Sequence, residues 1–340
     1  MNGMPIISND LRSSCRALLL QSHMDGGSGE KEVEWEYPDY WPPLPDAGKG
    51  EGIFLIRPSE NNKKFGFRFG LNGASDGNHA AIDWGDGNTE TVDLSRGGVN
   101  YTEHEYEDSL IGEYVIIKVQ TMFAVNQYYP YDRIFTDTGF YTSANPNNSC
   151  TFLLAASVGT LFCCSSTYSG VNAFNPIYVR FCMNDFNELS AGNHISHEEP
   201  YAGYYGSMFN YYTGGRTRRI DFTGNPTIFG TANNSSMQWL TMITGVDSVT
   251  KFNEYFNAGN VFGNCFALKK ISFPSLTELP NSCFNSTYSL REAYLPKCKK
   301  IGTNCFAGNE ILQRVTVAKG CEIGEGSFEY NKNYVEIAEV

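Results

Sequence analysis

Two hydrophobic rhythms divide the chain. Between residues 51 and 121 the segments KKFGFRFG, AAIDWGDGNTETVDL and IGEYVIIKVQ alternate apolar and polar positions, the period of two that predicts antiparallel strands, with Gly, Asn and Asp between them. Asp86-Gly87, between IDW and NTETV, predicts a two-residue hairpin turn, because Gly readily takes the positive φ it needs. In the last third the rhythm is slower. Phe262, Phe284, Phe306 and Phe328 return every 22 residues, and four other columns keep the same step: Leu268, Leu290 and Leu312; Ile271, Ala293 and Val315; Phe273, Leu295 and Val317; Leu279, Ile301 and Ile323. Tyr334 and Ile337 carry the columns of Leu312 and Val315 to the C-terminus.

Within each unit the triplets Ile271-x-Phe273, Ala293-x-Leu295 and Val315-x-Val317 predict a short strand pointing its apolar residues one way. A unit this small cannot bury its own apolar face. Stacked copies can, and their strands then align into a parallel sheet, so a solenoid is predicted. The cysteines of the array fit this picture. Val261, Cys283, Cys305 and Ser327 occupy one column and share small volume rather than chemistry, which favours packing over a disulfide between stacked units. No His follows residue 197 to activate a cysteine nucleophile.

The stretch SLTELPNSCFNSTYSLREAYLPKCKKIGTNCFAGNEILQRVTVAKGCEIGEGSF resembles the BspA-like leucine-rich repeat family, with Cys or Ser where Ala usually precedes Phe. The resemblance covers about residues 256 to 340. Upstream, RRIDFTGNP (218 to 226) and VRFCMNDF (179 to 186) read as strand-plus-turn units with longer, Tyr-rich spacers, which extends the expected solenoid back to about residue 150. IDWGDGN with HEYEDSLIGEYVIIKV resembles the PKD-type immunoglobulin-like sandwich, on Trp84, Gly85, Asp86, Gly87, His104, Tyr106, Gly112, Tyr114 and Val115. The expected fold is therefore mainly β. An N-terminal arm (1–50) leads to a small PKD-type sandwich (51–122), and a leucine-rich-repeat solenoid (123–340) follows, regular from about 256.

The arm breaks both rhythms. A short helix is expected over Asp10 to Leu20. VEWEYPDYWPPLPD then interleaves Trp35, Tyr37, Tyr40 and Trp41 with Pro38, Pro42, Pro43 and Pro45, so it can form neither a helix nor an inner strand. Extended aromatic segments of this kind dock on a surface: a partner, a sister chain, or the arm's own sandwich domain. The apolar core of the N-terminus, Ala17 to Leu20, is too short for an export signal, and no segment reaches membrane-spanning length. Net charge is −12, which argues against a nucleic-acid partner.

Candidate chemistry is sparse. Asp83 and Asp86 could ligate calcium, but two carboxylates fall short of the six or more oxygens that ion takes, and turn capping explains them. His104 and Tyr106 read as a packing pair. His194, His197, Glu198 and Glu199 cluster in an expected loop without a third ligand to complete a metal site. GGRTRR (214–219) is the basic cluster, a phosphate or acidic-glycan contact or else a solvated turn. No cofactor, metal or catalytic set is expected. YAGYYGSMFNYYTGG has the Tyr, Gly, Ser and Asn composition of recognition loops, which nominates Tyr201, Tyr204, Tyr205, Tyr211 and Tyr212 as ligand-binding residues, with core packing as the alternative. Glu292, Tyr294, Arg314 and Thr316, expected to face outward from the solenoid, are further candidates. Both resemblances imply a non-enzymatic recognition protein. The expectation is a phage virion protein, a tail or head fibre or decoration, assembled in the host cytoplasm and anchored through Trp35, Tyr37, Tyr40 and Trp41 to other virion proteins or sister chains. Its target would be a host cell-surface glycan or protein. A bacterial cell-surface adhesin is the alternative, and a carbohydrate-active enzyme a third class.

Overall fold

The computed structural model describes residues 35–60, 63–72, 78–94, 99–122, 133–138, 153–159, 163–164, 176–182, 217–225, 228–229, 239–252 and 262–340. Twenty-one strands and one 3-10 turn (Asp108–Leu110) account for all regular structure among them. The expected helix at 10–20 lies outside the described residues. No helix among the described residues is long and apolar enough to cross a membrane.

The N-terminal half contains β1 (Glu51–Ile56), β2 (Lys64–Asn72), β3 (Asn78–Asp83), β4 (Thr89–Leu94), β5 (Val99–Glu105), β6 (Val115–Met122), β7 (Arg133–Thr138), β8 (Leu153–Gly159) and β9 (Cys163–Cys164). They form two sheets. One runs β8-β1-β6-β3-β4 and the other β5-β2-β7-β9. Phe54 of β1 meets Phe65 and Phe67 of β2 across the gap, at ring-centroid distances of 6.5 and 5.4 Å, and Phe67 reaches Trp84 at 5.6 Å. Burying side chains of this size is what holds two sheets face to face.

The β3–β4 connection differs from the expected two-residue turn. Asp83 pairs with Thr89, so WGDGN forms a five-residue loop. Gly85 and Gly87 have φ of 80° and 93°, and Trp84 folds back into the core while its N–H donates to Asn88 O at 3.0 Å. Burial of Trp84 outweighs the shorter turn.

The second half stacks β10 (Tyr178–Cys182), β11 (Arg219–Thr223), β12 (Ile228–Phe229), β13 (Met242–Thr244), β14 (Lys251–Phe252), β15 (Lys270–Ser272), β16 (Glu278–Leu279), β17 (Glu292–Leu295), β18 (Lys300–Ile301), β19 (Arg314–Val317), β20 (Glu322–Ile323) and β21 (Glu336–Glu339). Each regular turn of the solenoid contributes two strands. The first set pairs in parallel as β15-β17-β19-β21 and the second as β16-β18-β20. The third side is the phenylalanine corner. Phe262, Phe284, Phe306 and Phe328 stack at 5.3, 5.6 and 5.7 Å with interplanar angles of 12°, 8° and 4°.

That corner needs left-handed backbone at two places per turn, Asn264, Ser286, Gly308 and Tyr330 in one column and Ser282, Asn304 and Gly326 in the other. Gly and Asn tolerate it best and hold four of these seven positions, while Ser282, Ser286 and Tyr330 take it at a cost that the stacked turns offset. Successive turns are also tied by side chains reaching back 25 residues: Thr287 to Phe262 O, Asn309 to Phe284 O and Ser327 to Gly302 O, at 2.9, 2.9 and 2.7 Å. The columns fray at the last turn. Tyr334 is 91% exposed instead of filling the Leu312 column, and the next residue, Val335, packs inward in its place. Ile337 stays in register with Val315 but is 38% exposed, since no later described turn covers it.

The two halves are not beads on a string. β8 pairs antiparallel with β1 on one edge and parallel with β10 on the other, so one eight-stranded sheet, β13-β11-β10-β8-β1-β6-β3-β4, runs from solenoid to sandwich. One main core follows it, from Phe54 and Trp84 through Val179, Phe181 and Ile220 to Val317.

Candidate binding face

Strand alternation fixes which side chains look away from the main core. On β10, Val179 and Phe181 face inward and Tyr178 and Arg180 outward; on β11, Ile220 faces inward and Arg219 and Asp221 outward; on β17, Ala293 and Leu295 face inward, Glu292 and Tyr294 outward. The outward positions fall into three zones.

The first zone is covered by the chain itself. Trp41, Leu44 and Ala47 of the arm join Ile53, Leu55, Ala155, Tyr178 and Cys182 in a second, smaller core. Trp35 stacks on Tyr178 at 6.0 Å, and Tyr37 meets Tyr178 and Trp41 edge-on at 5.2 and 5.3 Å. Ala47 N–H donates to Ser157 Oγ at 3.0 Å. Gly159 lies so close beneath the arm that a Cβ there would come within 1.7 Å of Gly48 O. Arg180 donates to Leu44 O at 3.0 Å and to Asp46 Oδ1 at 2.7 Å. Tyr37 donates to Pro42 O at 2.6 Å, and burial pushes its phenol up to about 12. Of the four aromatics nominated as an anchor, three therefore sit against the chain's own sheet, and Tyr40 is left 73% exposed.

The second zone is a polar network at the arm's edge. Asp221 accepts from Tyr178 OH (2.8 Å), Arg219 Nε (2.7 Å) and Thr244 Oγ1 (2.6 Å). Burial raises the Tyr178 pKa, and the Asp221 carboxylate adds to the shift. Next to it, Arg218 lies over the Trp239 ring at 4.9 Å, a cation–π contact that steadies a half-exposed indole. Arg218 and Arg219, from the basic cluster, are thus engaged by an aromatic ring and a carboxylate.

The third zone is bare. Lys270, Glu292, Arg314 and Glu336 stand opposite one another on β15, β17, β19 and β21, an in-register row of alternating charge. Lys270–Glu292 closes at 3.3 Å and Arg314–Glu336 at 3.9 Å. Glu278, Lys300 and Glu322 repeat the alternation on the second sheet. Of the four nominated solenoid residues, Glu292 and Arg314 belong to the first row, Tyr294 rises beside them, 49% exposed, and Thr316 is buried instead of facing outward. Sequence reasoning found Glu292, Tyr294 and Arg314 but missed the row; Lys270 and Glu336 share the 22-residue step and could have been read from it.

The nominated Tyr201, Tyr204, Tyr205, Tyr211 and Tyr212 lie outside the described residues, as do His194, His197, Glu198 and Glu199. Asp83 and Asp86 cap their loop: Asp83 accepts from Gly85 N, and Asp86 from Asn88 N and Nδ2, at 3.0, 3.0 and 3.1 Å. Asp86 also contacts His104 Nε2 at 2.7 Å. Burial alone would raise the Asp86 pKa, but these hydrogen bonds hold it below the ordinary value. His104 stacks on Trp84 at 5.0 Å, and Tyr106 donates to Trp84 O at 2.9 Å. No group of three metal-ligating side chains occurs among the described residues.

Residues 208–335 match the BspA type Leucine rich repeat region, in six copies. A leucine rich cell surface protein from Faecalibacterium prausnitzii A2-165, whose crystal structure is known, is similar at 19% identity and a TM-score of 0.35, over 53% of this chain and 42% of that one. This chain therefore spans less than half the length of that relative. No curated protein matches the chain.

Proposed function

We propose that the chain is a non-enzymatic recognition protein of the surface-displayed, adhesin-like type, which binds a cell-surface glycan or protein through the outward face of its solenoid. The observation that supports it most directly is the third zone. Four consecutive parallel strands present an uncovered, in-register row of Lys270, Glu292, Arg314 and Glu336 with Tyr294 among them, a rigid pattern of charge and ring. Such a surface gives orientation and contact area at low ordering cost. The experiment is cell or glycan-array binding by the full chain and by the combined variant Glu292→Lys, Tyr294→Ala, Arg314→Glu. Loss of binding with an unchanged melting curve supports the reading; full binding by a folded variant overturns it.

The finer reading places the chain on a phage virion, attached by its N-terminal arm to another virion protein or a sister chain. It rests on the aromatic and proline-rich arm and on Tyr40, which stays exposed while its three neighbours are seated. Peptide mass spectrometry of purified virions tests it: recovery of this chain supports virion display, and its absence leaves a cellular surface as the place of action.

A further inference from the structure

Six cysteines with described side chains, Cys182, Cys265, Cys283, Cys298, Cys305 and Cys321, are thiols rather than disulfides. Five of them lie in the regular turns of the solenoid, and they fall into two cross-turn pairs plus Cys265. Cys283 and Cys305 stand one turn apart inside the phenylalanine corner, both wholly buried. Cys298 and Cys321 stand one turn apart at the corner between the two sheets: Cys298 Sγ donates to Lys300 O at 3.1 Å and Cys321 Sγ to Glu322 O at 3.6 Å, and Lys300 and Glu322 face each other on β18 and β20.

The second pair is not the simple 22-residue repeat, and the reason is local. At this corner Leu276 N–H donates to Phe273 O and Cys298 N–H to Leu295 O, at 3.2 and 2.9 Å, and both side chains point into the core. The next turn inserts Gly320, with φ of 74°, in the corresponding place. The corner therefore moves on by one residue, and Cys321 takes it, its N–H donating to Ala318 O at 3.1 Å. Leu276, Cys298 and Cys321 thus form one column across three turns. Neighbouring turns are a strand spacing apart, about 4.8 Å, within the Cα separation that an unstrained disulfide spans. Among the described thiols Cys321 alone is partly exposed; Cys298 is fully buried beneath it.

We propose that Cys298 and Cys321 are a disulfide site that closes under oxidising conditions, stapling two successive turns of the solenoid. The co-reactant is a small-molecule disulfide. The Cys321 thiolate attacks it, forming a mixed disulfide and releasing one small thiolate. The Cys298 thiolate then attacks Cys321 Sγ, forming the protein disulfide and releasing the second. Two electrons pass from the protein thiols to the small disulfide, and the two protons end on the released thiols. Exposure dictates the order of attack. Burial pushes Cys298 up to about 12 and also raises the partly exposed Cys321, so the buried thiol is the poorer first nucleophile, but it stands in the same column as the sulfur it must attack. Cys283 and Cys305 also stand one turn apart and have no exposure, which makes them the internal control.

The test treats the full folded chain with oxidised glutathione at mildly alkaline pH, traps remaining thiols by alkylation and maps peptides by mass. The expected product is a Cys298–Cys321 cross-link, with Cys283 and Cys305 alkylated only after denaturation. Closing a loop of this length should raise the melting temperature of the solenoid by roughly 5 °C or more, reversed by reductant. Cys298→Ala should stop at a glutathione adduct on Cys321, and Cys321→Ser, which leaves the buried thiol in place, should give neither adduct nor cross-link. Both thiols remaining alkylatable in the oxidised folded chain would overturn the proposal. So would a cross-link forming first between Cys283 and Cys305, or between chains.

Discussion

The sandwich and the solenoid bury comparable side chains by opposite strategies. Trp84 is held by contacts that occur once: Phe67 against its face, His104 stacked at 5.0 Å, and Tyr106 bonded to its carbonyl. Phe306 is held by copies of itself, Phe284 below and Phe328 above, at nearly the same distance and tilt. In the first case partners are far apart in sequence and each is unique; in the second every partner is one period away. The first region should fail as a unit and the second turn by turn.

The largest effect should come from Trp84→Ala. Loss of an indole buried between two sheets costs about 4 kcal/mol, and the expected outcome is disappearance of the sandwich's cooperative melting in calorimetry. Phe306→Ala should cost about 3 kcal/mol, with hydrogen exchange accelerating in β17 to β20 while β1 and β6 keep their protection. If β1 and β6 also lose protection, the contrast between the regions is wrong. Asp86→Asn comes next. Because Asp86 is held below its ordinary value, its contribution is present above about 3.8 and fades as pH falls through the lower folded-state value. The variant should therefore be less stable by about 2 kcal/mol at neutral pH, through weakened charge-assisted hydrogen bonds, and should show a flatter acid limb in denaturant melts. Asn309→Ala strands the Phe284 carbonyl and should cost about 1 kcal/mol, confined to adjacent turns. Arg314→Glu, setting three acids in a row, should cost less than about 1 kcal/mol and lose even that in high salt.

The same contrast explains what could be read from the sequence. The five 22-residue columns were legible because every repeat restates them, and the parallel sheet with its Phe corner follows directly. The second strand of each turn was implicit in Leu279, Ile301 and Ile323. Tyr334 misled because the step places it in the leucine column while the last turn shifts its inward residue to Val335. In the sandwich, the alternation gave strands, but the β3–β4 loop length depended on burial of Trp84, a tertiary matter. The shared sheet was not legible at all: LLAASVG in β8 carries no mark of pairing antiparallel to one neighbour and parallel to the other. That the arm docks on its own chain was among the expected alternatives, but its seat was not legible, since nothing in the sequence marks Tyr178 and Cys182 as the residues that receive it.

β8 also decides how the molecule carries load. Under the proposed function, a load taken up by the solenoid reaches the sandwich through the joint between them. That joint is a ladder of main-chain hydrogen bonds on both edges of one strand, so a pull is shared across the whole ladder and the two halves keep one relative aim.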